Sequence, residues 1–313
     1  MKPALSVIFF TVSSGAGLGL LFLLALARLF HATPPSTHWW WALLLAATLI
    51  TLGLLSSTLH LANRKNAWRA FSRFRTSWLS REGVFAVALY PVTMLYAWTV
   101  NQQLRWLEMT LGVAVMILCL LILYCTAMIY ACLKTVPRWR TWHTRLAYPL
   151  LGLMSGALLL TATMPPAAAP VAARMAVALL LLGAALKLAF FIRFADVSPD
   201  TPSVNDALNL GKDTTTGRAN AKVRLLDVGH SHATFLTHEF GFELARQNAS
   251  LLKIALFFFG FALPFILLAL SPRLAAIASI SSLLGLLVER WLFFAEAKHV
   301  VRLYHGLSMG EKQ

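Results

Sequence analysis

Eight apolar runs, each close to or beyond the length needed to cross a bilayer, constrain this chain more than any other feature. They cover roughly residues 5–29, 39–62, 83–101, 109–132, 146–164, 171–192, 251–271 and 274–297. A hydrocarbon core of about 30 Å is spanned by about 20 apolar residues in a helix. In lipid every backbone N–H and C=O must be paired within protein, and these runs are too long for barrel strands, so an α-helical bundle remains. The expected fold is all-α: a polytopic membrane protein, a bundle of eight transmembrane helices with a long cytoplasmic loop between helices 6 and 7. Composition agrees. The chain is 58% hydrophobic and only 12% charged, against about 45–50% and about 25% in soluble domains. That is too little charge to cover a water-facing surface and too much apolar content for disorder.

Within the first run, Ser13, Ser14, Gly15, Gly17 and Gly19 are the small residues that let helices approach closely in membranes. Met1-Lys2 and Ala25-Leu26-Ala27 superficially resemble a signal peptide. The apolar run exceeds the 7–15 residues of a signal core, so the first helix is expected to be retained. Cys119, Cys125 and Cys132 share one apolar run without a Cys-x-x-Cys pair and are expected to be buried free thiols.

The net charge of +15 suggests nucleic acid until the cations are placed. Lys2 precedes helix 1. Arg64, Lys65, Arg69, Arg73, Arg75 and Arg81 lie between helices 2 and 3, and Lys134, Arg138, Arg140 and Arg145 between helices 4 and 5. Lys298, Arg302 and Lys312 follow helix 8. Alternating helices put all fourteen on one face, against Arg28, Arg105, Arg174 and Arg273 on the other. The positive-inside rule makes the richer face, with both termini, cytoplasmic. The surroundings expected are membrane lipid, in a bacterial cytoplasmic (inner) membrane, with no nucleic acid. The chain divides into residues 1–193 (helices 1–6), 194–250 and 251–313 (helices 7–8 and a tail). The middle segment holds seven of the twelve acids. A loop of this length is normally functional or disordered, and a partner-docking role is expected for it.

Ionisable groups at membrane depth are costly and mark functional sites by default. His60 ends helix 2, Glu82 opens helix 3 after Arg81, and Glu289-Arg290 interrupt helix 8. A quinone must exchange protons together with electrons. A histidine can hydrogen-bond its carbonyl near neutral pH, and a carboxylate can relay the proton. The candidate quinone-binding residues are therefore His60, Glu82, Arg81, Arg64, Trp68, Glu289 and Arg290. Arg81 or Arg64 is expected to tune Glu82, and Phe71, Trp78 and Phe85 to add ring surface. Glu289 and Arg290, about 100° apart on the helix, are expected to pair with each other's neighbours. Two alternatives stay open. A secondary transporter would use the same charges as a substrate path, although no internal repeat is visible. A haem b cytochrome would need facing histidines, for which only His60 and His299 stand near helix ends, with His31, His38 and His143 flanking loops. No residue pattern specifies a metal site.

Several short motifs, in order, resemble the dimethyl sulfoxide reductase membrane-anchor family, DmsC type. They are Val7-Ile8-Phe9-Phe10-Thr11 leading into Ser14-Gly15-Ala16-Gly17, Ser57-Thr58-Leu59-His60-Leu61, and Ala67-Trp68-Arg69-Ala70-Phe71. Trp78-Leu79-Ser80-Arg81-Glu82 and Thr135-Val136-Pro137-Arg138-Trp139 continue the series. The resemblance implies an anchor with no catalytic residues and no haem, only quinone or quinol (menaquinone or ubiquinone), and nothing covalently bound. It also implies two partners: a molybdopterin catalytic subunit, which holds Mo-bis-pterin, and a four-cluster, ferredoxin-like iron–sulfur subunit. In that family the histidine and acid matching His60 and Glu82 are associated with quinol binding. Glu289-Arg290-Trp291-Leu292-Phe293-Phe294-Ala295-Glu296-Ala297, Val223-Arg224-Leu225-Leu226 and Glu239-Phe240-Gly241-Phe242 are more similar to the SoeC-like branch. Its complexes face the cytoplasm and oxidise sulfite.

Overall fold

A computed structural model describes residues 4–30, 36–59, 68, 71–194, 248–297, 299 and 300. Among these there are eight helices long and apolar enough to cross a membrane, and no strand. They are α1 (Leu5–Phe30), α2 (Thr37–Leu59), α3 (Trp78–Asn101), α4 (Arg105–Ala131), α5 (Trp142–Thr163), α6 (Ala169–Arg193), α7 (Ala249–Leu270) and α8 (Ala275–Ala295). The region 195–247, including nearly all of the long loop, lies outside the described residues, as does the tail beyond Val300.

Helices α3 and α5 begin about a turn before their apolar runs, because polar caps start them. Ser77 and Thr141, both extended, accept hydrogen bonds from the backbone N–H of Ser80 and Thr144, satisfying donors the helix cannot. His143, expected beside a loop, is thereby wound into the first turn of α5 and buried.

α1 is the hub, packing against α2, α4, α5 and α8. Its small residues permit this. A Cβ built on Gly19 would stand 1.9 Å from the carbonyl oxygen of Gly152 on α5, and one on Gly156 would stand 2.2 Å from the carbonyl carbon of Gly19. On the other side, Ser13 donates to the Leu49 carbonyl at 2.8 Å and Ser56 to that of Ser6 at 2.9 Å, tying α1 to α2. Lipid tails are as apolar as leucine, so such close packing and hydrogen bonds supply much of the association. The outside is correspondingly greasy, with Val87, Met94, Ile117, Leu181, Ile254 and Ile280 all exposed. Cys119 and Cys125 are buried, whereas Cys132 is exposed. Cys132 is the residue that caps α4, beyond the packed part of the run.

In α7, one π-helical turn spans Phe258–Ala262 and leads into Pro264. The carbonyls of Phe259 and Gly260 accept hydrogen bonds from Ser281 (2.8 Å) and Ser282 (3.1 Å) of α8. Irregular backbone at membrane depth is thus satisfied by a neighbouring helix.

The polar contacts fix the alternation of direction. The start of α1 meets the end of α2 through Ser6–Ser56, and its end meets the start of α4 through Arg28–Glu108. The start of α3 meets the end of α4 through Glu82–Thr126, and the ends of α6 and α8 meet through Lys187–Glu289. One end of the bundle therefore carries Arg73, Arg75, Lys134, Arg138 and Arg140 and is called the basic end below.

Candidate functional site

Glu82 lies in the second turn of α3, at the basic end, and is only 3% exposed. It accepts a hydrogen bond from Thr126 Oγ1 of α4, whose hydroxyl also lies 2.9 Å from the Ile122 carbonyl. Among the described residues Glu82 has no ion-pair partner. Arg81, expected to tune Glu82, makes no ion pair with it. Adjacent residues diverge on a helix, and Arg81 turns outward to donate to the carbonyls of Phe74 (2.9 Å) and Arg75 (2.7 Å) while covering the Trp78 ring at 4.3 Å. Arg81 thus clamps the segment before α3.

That segment lays rings along α3. The Phe71 ring covers Gly83, where an added Cβ would come within 3.2 Å of it, and Phe74 meets Phe85 edge-on at 5.7 Å. Trp68 is exposed. His60 and Arg64 lie outside the described residues.

Glu289 and Arg290 sit about two turns before the end of α8, both buried. The structure brings in a residue that sequence reading missed: Lys187 of α6, 3% exposed. One carboxylate oxygen of Glu289 accepts from Lys187 Nζ and the other from Arg290 Nε. Glu289 and Arg290 therefore bond each other directly, contrary to expectation, because the long arginine arm curls back across the angle between them. The cations also lie over rings, Arg290 on Tyr148 (4.1 Å) and Phe293 (5.0 Å), Lys187 on Phe190 (4.6 Å). Pairing and ring contacts are what make three charges tolerable at this depth. Lys187 is a lone charge in the apolar run of α6, the same kind of signal that singled out Glu289.

Two small cavities adjoin this triad. The first, about 20 Å³, lies among α1, α4, α5 and α8 and is lined by Thr11, Ser14, Thr126, Tyr148, Ser155 and Arg290, among others. It brings the hydroxyl that holds Glu82 to the same space as Arg290. The second, about 10 Å³, is lined by His143, Thr144, Lys187, Phe190 and Arg290.

The basic rim is knit to this core. Arg138 bonds Glu296 at 2.5 Å, and Lys253 of α7 bonds the other Glu296 oxygen at 2.9 Å. Burial pulls the Arg138 guanidinium below its ordinary pKa, which the Glu296 carboxylate opposes by charge and hydrogen bond. Trp139 donates to the Phe293 carbonyl at 2.9 Å and stacks on its ring at 5.3 Å. Arg138, one of the cations placed on the cytoplasmic face, is paired with a carboxylate at the end of the bundle. At the opposite end, Arg28 bonds Glu108 at 2.8 Å, and Arg105 donates to the carbonyls of Arg28 (2.7 Å) and Leu29 (2.8 Å), closing the end of α1.

No solved structure matches the chain. The chain is 32% identical to the C subunit of the sulfite dehydrogenase of Allochromatium vinosum over 334 aligned positions, covering 97% of this chain and 99% of that protein. The family model of the DMSO reductase anchor subunit (DmsC) matches residues 1–295. The chain belongs to the DMSO reductase anchor subunit family.

Proposed function

We propose that this chain anchors a molybdoenzyme complex in the cytoplasmic membrane and passes electrons between the quinone pool and a partner iron–sulfur subunit. The molybdopterin and iron–sulfur centres belong to the partners, which dock on the basic end. Family membership supports the anchoring role, and the relative named for sulfite dehydrogenase favours sulfite as the complex's substrate. Electrons then run from sulfite towards quinone.

The observation that carries the quinone reading is Glu82: a buried carboxyl with no ion-pair partner among the described residues, held by Thr126, beside a ring-lined stretch of α3 at the basic end. These residues fit a quinone. Phe71, Phe74 and Trp78 offer apolar ring surface for stacking, and the Glu82 carboxyl holds or yields a proton at its Oε atoms while Thr126 fixes its orientation. A bound quinone supplies two-electron chemistry coupled to two protons. His60 is the proposed hydrogen-bonding partner of its carbonyl, and Arg64 and Trp68 are proposed to border the same site. Arg81 contributes by holding the 71–75 segment against α3.

His60→Arg tests this in the assembled complex. The variant should assemble normally and lose quinone-linked turnover. Unaltered binding of a quinone analogue by that variant overturns the assignment.

A further inference from the structure

Six polar side chains from four helices line the cavity beside Thr126: Thr11 and Ser14 of α1, Thr126 of α4, Tyr148 and Ser155 of α5, and Arg290 of α8. What they can offer it follows from where their protons already go. Thr11 donates to the Ile8 carbonyl at 3.0 Å and Ser14 to that of Phe10 at 2.6 Å. Ser155 donates towards the carbonyls of Leu151 and Gly152 at 2.9 and 3.0 Å. Thr126 is engaged with Glu82 and the Ile122 carbonyl. A hydroxyl has one proton and two lone pairs, so these four groups present only lone pairs to the cavity. The other two residues are in the opposite position. Among the described residues, the Tyr148 hydroxyl and Arg290 Nη1 are buried without a hydrogen-bond partner, and each has a proton to give.

A buried polar atom is rarely left unpaired, and donors on one side with acceptors on the other call for an occupant that does both. An anion would accept from Arg290 and Tyr148 but would face the lone pairs of four hydroxyls. A cation would suit those lone pairs but would be repelled by the guanidinium. Water accepts two hydrogen bonds and donates two. The cavity volume of about 20 Å³ exceeds the roughly 10–15 Å³ that one molecule needs.

We propose that the cavity is a binding site for one ordered water, through which Arg290 and Tyr148 act as positioning residues for Glu82. The inference rests on Glu82 handling protons for a quinone, as proposed above. The water accepts from Arg290 Nη1 and the Tyr148 hydroxyl, and donates to Thr126 Oγ1 and to a hydroxyl of α1 or α5. A hydrogen bond accepted by Thr126 polarises the O–H that it donates to Glu82. Once Glu82 has given its proton to the quinone, it is a carboxylate with no ion-pair partner among the described residues. Burying such a charge is costly, and the chain from Arg290 brings a fixed positive charge to bear on it without direct contact. No proton travels along this chain. Arg290 keeps its own, and the triad holds the guanidinium in place, with Glu289 accepting from its Nε. Among the described residues, the ionisable groups facing Glu82 are Cys125 and Tyr130 of α4 and Tyr148 of α5, with Arg81 turned outward beside it.

The test uses the assembled complex in lipid nanodiscs and two variants that leave every charge in place. Tyr148→Phe removes one donor to the water and keeps the ring that stacks on Tyr130. Gly15→Ala adds a methyl at a cavity-lining position, where a Cβ would meet nothing on neighbouring helices closer than the Gly152 Cα at 4.0 Å. It takes up the water's space without a clash. Infrared difference spectra between acid and neutral pH, recorded without quinone, should show a wild-type O–H band that moves in heavy-oxygen water. Gly15→Ala should lack that band. In both variants the Glu82 carboxyl band, identified by its absence from Glu82→Gln, should be shifted. Both should bind a quinone analogue like wild type and turn over about tenfold more slowly, the loss expected of one hydrogen bond to a charged group. A wild-type spectrum without the water band overturns the site. An unshifted carboxyl band in both variants overturns its action on Glu82, as does wild-type turnover in both when Glu82→Gln is slow. Wild-type turnover in Glu82→Gln overturns the quinone reading alone, because the infrared bands are read without quinone.

Discussion

Glu289 is the single anion shared by two buried cations, so the three members of the triad should differ sharply in what their removal costs. Glu289→Gln leaves Lys187 and Arg290, 3% and 4% exposed, as unpaired like charges. Breaking a buried pair in this way costs about 3–5 kcal/mol. Lys187→Met does not strand a charge, because Arg290 still pairs with Glu289. The flexible apolar replacement fills similar space over Phe190, and such swaps cost less than about 1.5 kcal/mol. The expected difference is at least about 1.5 kcal/mol, or roughly tenfold in an unfolding constant. Thermal inactivation of the purified protein in nanodiscs, followed by tryptophan fluorescence at one scan rate, reads it. Unfolding is irreversible for many such proteins, so half-lives at a fixed temperature are compared. Glu289→Gln should be much the shorter-lived, and the double variant should lie between. Equal losses, or a worse Lys187→Met, would refute the sharing of one anion by two cations.

Gly285 and Gly260 face each other, yet their alanine variants should diverge. A Cβ on Gly285 would lie 2.2 Å from the Gly260 backbone nitrogen, while one on Gly260 would come no closer than 3.4 Å to any neighbour, a Leu256 methyl. Gly285→Ala should cost about 1–3 kcal/mol and Gly260→Ala far less, measured by the same inactivation assay. Gly19→Leu must push α1 off the α5 backbone and should abolish monodisperse folded protein on size-exclusion chromatography. Arg105→Met, at the end remote from Glu82, unties the α1 carbonyls. It should speed amide exchange at the end of α1 while leaving quinone-analogue affinity unchanged. Trp139→Phe removes the bond to the Phe293 carbonyl and should cost about 1 kcal/mol, with faster exchange confined to the 134–141 segment and the end of α8.

The eight helices are legible in the sequence because lipid imposes an all-or-none length and polarity rule on each run. Their starts are less so. Ser77 and Thr141 are polar, and a reading by apolar run places them outside the helices they begin, which makes His143 look like a loop residue. The glycines of α1 signal close packing, and Gly19 is indeed in backbone contact with α5. Glu82, Glu289 and Arg290 stand out as charges in apolar surroundings. Lys187 does so just as much, as a lone charge in the apolar run of α6. What no sequence pattern holds is the pairing. Lys187 and Glu289 are 102 positions apart, and Thr126 is one of many threonines. Their meeting depends on how α6 and α4 rotate against α8 and α3, which is set by packing around the whole hub. The Arg138 ion pair is illegible for the same reason, since its partner Glu296 lies 158 positions away.

Exchange of electrons with quinone at Glu82 is tested most directly by one rate. The assembled complex, reduced through its catalytic subunit, passes electrons to a soluble quinone analogue, and wild type is compared with Glu82→Gln. Reduction of the iron–sulfur centres should be normal in both, with electron transfer to the analogue slowed on the order of 10²-fold in the variant. Equal rates in the two proteins would contradict a role for Glu82 at the quinone.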